Sequence, residues 1–163
     1  MSVRIPLMLL LAACTTAPHQ TPAALVPAFP TPAQTTDDSV VAAVLHKVVV
    51  EGLPDWQPRR TVVIQSDSGF VSPSSLPRVD SVGFVLLGAA EIQQLANQLG
   101  SVNALSVGRP TIGGDTARSG ASSQWVWRQA RVGRMIGMSA CTFRLRRLEG
   151  AWQVDSTLGC VIT

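Results

Sequence analysis

The sequence predicts an α+β domain in which one or two helices pack on an antiparallel sheet of about four to five strands. Three observations predict it. A stripe of valines at helical spacing follows residue 36. From Ser101 onward the chain turns to β-branched and aromatic runs separated by glycine-rich turns. No internal repeat and no second apolar block is present, and 46% apolar against 14% charged residues is enough for one buried core in 163 residues.

The first helix starts at Thr36-Asp37-Asp38-Ser39, where a hydroxyl or carboxylate caps the free N–H groups and the acids meet the positive end of the dipole. Val40, Val41, Val44, Leu45, Val48 and Val49 form its apolar stripe, and Gly52 and Pro54 stop it. Residues 60–65 read as a short strand, 67–78 as a Ser/Pro/Gly loop, and 79–87 as a short extended segment. A second helix spans 89–99, with Ile92, Leu95, Ala96 and Leu99 in line and Gly100 as its end. Residues 104–112 are extended up to the Gly113-Gly114-Asp115 turn. Residues 118–128 form a strand whose Trp125 and Trp127 share a face. That face is the core, and were it exposed it would be a ligand platform.

The last pair, 135–147 and 151–162, makes a hairpin with two possible closures. A Glu149-Gly150 loop pairs Leu148 with Ala151 and puts Cys141, Phe143 and Leu145 on one buried face with Trp152, Val154, Leu158 and Cys160. A Gly150-Ala151 loop suits a type II′ turn and sets Cys141 directly opposite Cys160, close enough for a disulfide. Two free buried cysteines are the alternative. An oxidising compartment would favour the bridge.

Three cysteines are an odd number, and the third is Cys14. It follows a single arginine and the short apolar run 5–13, the layout of a secretory signal and far short of the roughly 20 residues that span a bilayer. Leu11-Ala12-Ala13-Cys14 resembles the lipobox of bacterial lipoproteins. The resemblance covers the first fourteen residues only. It implies a signal peptide over 1–13, a diacylglycerol on the Cys14 sulfur, an acylated new amine, and a membrane as partner through that anchor. Thr15 in place of Asp implies the outer membrane, facing the periplasm, if the organism has one. Residues 14–36 then form a tether rich in Pro, Thr and Ala and free of charge, with a reach of roughly 25 to 70 Å. The domain proper occupies 37–163. Acyl burial at about 0.8 kcal/mol per methylene makes such an anchor nearly permanent.

Chemistry is sparse. His19 falls in the tether and His46 on the flank of the first helix, neither with metal-ligand company, so no metal and no cofactor is expected. No Gly-x-Ser-x-Gly or Ser-x-x-Lys occurs, and Gly113-Gly114-Asp115 lacks the Lys-Ser/Thr pair and the helix of a phosphate loop. The formal charge of +3, or +2 without Arg4, is too small to argue for a polyanion, and nucleic acid is not expected of an exported chain. One stretch is skewed: Arg128, Arg131, Arg134, Arg144, Arg146 and Arg147 follow one another with no acid between. It reads either as a face for an anionic surface or envelope partner, or as an ordinary solvated face alternating against Phe143 and Leu145. A helix followed by strands ending in Gly150-x-Trp152-x-Val154 also resembles the nuclear-transport-factor-like and cystatin-like folds, which curl a sheet around a helix. That likeness bears on fold alone. The function expected is a non-enzymatic binding or assembly module. The alternative is a small-ligand or hydrolytic domain with a pocket in a curled sheet.

Overall fold

The computed structural model describes residues 35–57, 59–67, 70–128 and 137–163. Cys14, Arg131 and Arg134, together with the expected signal and nearly all of the tether, lie outside the described residues. Helix α1 (Thr36–Glu51) is capped by Thr35, whose hydroxyl accepts from the Asp38 N–H. The Asp38 carboxylate accepts from the Thr35 N–H at 3.0 Å and its hydroxyl at 2.8 Å. This is a capping box with Asp in the usual Glu place. At the other end Gly52 adopts a φ of 86° and returns its N–H to the Val48 carbonyl. All six stripe residues are buried. Valine costs a few tenths of a kcal/mol in helix propensity, but burying each gains about 1.5 kcal/mol or more, so packing decides for helix.

The stripe lies on one face of a seven-stranded sheet: β1 (Thr61–Gln65), β2 (Gly83–Leu87), β3 (Ser101–Val107), β4 (Thr111–Gly113), β5 (Thr116–Trp127), β6 (Met138–Leu148) and β7 (Ala151–Ile162). The main order is β2-β1-β3-β5-β6-β7, with β4 paired to β5. Helix α2 (Ala89–Leu99) covers the opposite face. Val62, Ile64 and Leu105 pack in the α1 core, while Val63, Val102 and Ala104 pack with Ile92 and Ala96 of α2.

The α+β class stands, and two expectations within it are corrected. The sheet is mixed: β1 runs parallel to both β2 and β3. The crossover through α2 carries the chain from β2 past β1 into β3, and strands covered on both faces become unbroken apolar runs such as Val62-Val63-Ile64. There are also more than four to five strands. Residues 79–87 end in a full strand, and the 104–112 run breaks at Gly108-Arg109-Pro110, where proline withholds an N–H.

The final hairpin combines both closures. The loop is Glu149-Gly150, with φ of 51° and 84°; positive φ at both central residues marks a type I′ turn, not II′. Leu148 pairs with Ala151 and Leu145 with Val154, then two single-residue bulges on β7 shift the register. Asp155 is the extra residue at the first and Leu158 at the second, so Cys141 meets Cys160 after all. The two are bridged, with Cα atoms 4.1 Å apart. Cys141 is buried, but Cys160 and Leu158 are exposed, because β7 is the edge strand and its second half escapes α1. Trp125 is half-buried and Trp127 exposed, so the buried tryptophans are Trp56 and Trp152 instead.

Removing the bridge with Cys141→Ser and Cys160→Ser should lower stability by about 3 kcal/mol for a 19-residue separation, read by urea unfolding. Reduction should add about 2 Da to the mass, one bond's two hydrogens. A second prediction concerns Asp38. Burial pushes its carboxyl up, but hydrogen bonds from Thr35, Ser72 and Ser74 outweigh this and hold it below the ordinary 3.8. Its contribution is therefore complete above 3.8 and disappears as pH falls through the depressed value. Asp38→Asn should cost about 1–2 kcal/mol at pH 7, and its gap to the unsubstituted chain should narrow at pH 3 in the same unfolding experiment.

Candidate functional site

On its face helix α2 packs on Val63, Leu87, Val102, Ala104 and Val126, which leaves the outer side of β3 from Ser106 onward, the first half of β5 and β6 open. Small residues floor a groove there: Ser106, Gly108, Gly120, Ser122, Ala140 and Thr142. Gln65 and Phe70 wall it, and its volume is about 410 Å³. The polar floor is largely self-satisfied. Ser106 and Ser122 share a 2.8 Å hydrogen bond, and Gln124 donates to Gln65 at 3.1 Å.

The arginines divide into two groups. At one end of the groove Arg118 and Arg144 are cross-strand partners, and Arg146 lies two residues further along β6. Asp155, the bulged residue, accepts from Arg144 Nε at 2.8 Å and lies 3.6 Å from Arg146. A bulge that re-aims one carboxylate at two of the three arginines leaves the group two positive charges in excess. Arg109, whose guanidinium lies 5.5 Å from the Phe70 ring, flanks the same end. Arg128 stands at the opposite end of β5. Ten residues of strand, roughly 33 Å, separate it from Arg118. The arginine run in the sequence is therefore not one surface.

A third feature lies near Arg128. Trp125 and Trp127 stack with centroids 6.0 Å apart, and Arg59 lies 5.4 Å over Trp125. Asn103, directly across from Trp125, keeps a buried Oδ1 without a hydrogen bond among the described residues. His46 is exposed on α1, and among the described residues no three His, Cys, Asp or Glu side chains cluster to hold a metal.

A scan against family models finds no match for this chain, and searches of curated proteins and of solved structures find none either. The site therefore has to be read from its own chemistry. It offers cations, an aromatic pair and a shallow groove, and the residues that the sequence nominates form no nucleophile–base pair. Sequence reading missed Arg118, Arg109 and Asp155. Arg118 was detectable, because it alternates against the inward Ala117 and Ser119.

Asp155→Asn should be retained more strongly on an anionic resin than Asp37→Asn, which makes the same change in net charge at an exposed position on α1. Equal elution salt for the two would show that Asp155 does not mask the arginines.

Proposed function

We propose that the chain is a cell-envelope lipoprotein, anchored through Cys14, whose domain is a binding or assembly module. Leu11-Ala12-Ala13-Cys14 carries this reading. The bridge between Cys141 and Cys160 supports it, because structural disulfides persist in oxidising compartments and this one leaves Cys14 as the odd cysteine. The charge-free Pro/Thr/Ala segment supports it too, as an extended spacer between a bilayer and a domain. Thr15 favours the outer membrane, facing the periplasm, in an organism with two membranes. The partner sought is an envelope protein with an acidic face, met by Arg118, Arg144 and Arg146 at one end of the sheet, or an anionic surface, met by Arg128 at the other. No helix among the described residues is long and apolar enough to cross a membrane.

A second reading has one observation in its favour. The groove over β3, β5 and β6, at about 410 Å³, falls within the size range of small-ligand sites. A ligand-binding or hydrolytic domain would use it. Its largely paired polar floor supports the first reading over this one, since a ligand would find few free donors there.

Cys14→Ser and membrane fractionation after a high-salt wash test the anchor. The unsubstituted chain should stay with the membrane until detergent is added and should carry a lipid mass increment, while the variant should be released. A variant that stays bound, with no lipid on the unsubstituted chain, overturns the reading.

A further inference from the structure

One end of the sheet gathers apolar and cationic side chains that are exposed among the described residues. Strands β1 and β3 begin there and β5 ends there. Ser101 pairs with Trp127, and the Arg128 N–H donates to the Gly100 carbonyl at 3.1 Å. Continuing the β1–β3 register sets Arg60 beside Ser101, with Arg59 next to it and folded over Trp125. Leu99, the last residue of α2, is 69% exposed and Trp127 38%. Arg59, Arg60 and Arg128 are all exposed. Set back by about three residues, roughly 10 Å, come Met138 on β6 and Val161 and Ile162 on β7, the last two 62% and 58% exposed. Among the described residues, Asp80 in the turn before β2 and Asp55 in the connection that leads into β1 are the acids next to this end in the chain, and the three arginines outnumber them.

These side chains project from both sides of the sheet, so they share an end and not a face. A protein partner seated on one face would leave half of them in water. A planar bilayer surface meets an end. Tryptophan favours the headgroup layer, where its ring is partly dry and its N–H wet. Leucine and isoleucine beside it gain by entering the acyl boundary, and arginines around them meet anionic headgroups. We infer that this end, formed by Arg59, Arg60, Leu99, Trp127 and Arg128, docks on an anionic lipid surface.

The inference rests on the anchored reading for its use, since three arginines and a few exposed apolar residues bind weakly and reversibly unless a tether keeps the domain near the bilayer. Its test does not depend on lipidation. The Cys14→Ser chain is mixed with vesicles of phosphatidylethanolamine and phosphatidylglycerol, three to one. Every variant compared shares the same N-terminal residues, so their contribution cancels. Tryptophan emission should shift to the blue, brominated lipid should quench it, and Trp127→Phe should remove most of both effects. Replacing Arg59, Arg60 and Arg128 by Ala should weaken vesicle binding about a hundredfold. Replacing Arg118, Arg144 and Arg146 by Ala makes the same change in net charge at the far end and should leave binding within a few fold. Circular dichroism should show both triple variants folded, since none of the six side chains is buried. Equal losses for the two triples, no vesicle binding, or binding only to insoluble peptidoglycan would each overturn the inference. Failure of the anchor shows separately, in the lipid mass of the unsubstituted chain.

Discussion

Which faces of the sheet the two helices cover determines what remains free to act. The valine stripe of α1 has to be dry, and it takes the side carrying Ile64, Leu105, Phe143 and Leu145. Helix α2 is shorter, and on the opposite side it packs on Val63 of β1, Val102 and Ala104 of β3, Leu87 of β2 and Val126 near the end of β5. The core is therefore double-sided at β1, at β3 and at the Val126 end of β5, and single-sided along the rest of β5 and at β6 and β7. Each candidate functional surface results from that asymmetry: the groove that α2 does not reach, the arginines beyond it, and the sheet end at which α2 finishes with Leu99 exposed.

Both helices were legible in the sequence because their signals are local. The stripe repeats at the helical interval, and Gly52 and Gly100 stop the helices where the structure does. The parallel pairing was less legible, since strand direction depends on the crossover and not on local composition. The clue was present in Val62-Val63-Ile64, which does not alternate as a one-sided strand would. The hairpin shows the limit of parity arguments. The loop and the cysteine pairing were each deducible, but they require different registers, and only the bulges at Asp155 and Leu158 reconcile them. Neither bulge has glycine or proline as its extra residue to announce it.

The site was less legible than the fold. Arginines adjacent in sequence lie at opposite ends of long strands, while Arg59 and Arg128, distant in sequence, come to the same end of the sheet. Paired tryptophans usually fill a core, and the sequence predicts this of Trp125 and Trp127. The structure puts them past the end of the region that α1 covers, where a cation over one ring and solvent beside the other replace packing. A side chain's chemistry is read from sequence; whether a helix reaches far enough to cover it is a property of the assembled layers.

On this account the sheet end bearing Trp127 faces the bilayer to which the chain is tethered. Hydrogen exchange on the lipidated chain in anionic vesicles, compared with the Cys14→Ser chain in solution, measures this most directly. Slower exchange is expected in the vesicles at residues 99–101 and 127–128, with the Leu148–Ala151 turn at the far end unchanged. Equal exchange at both ends, or protection confined to the far turn, would contradict it.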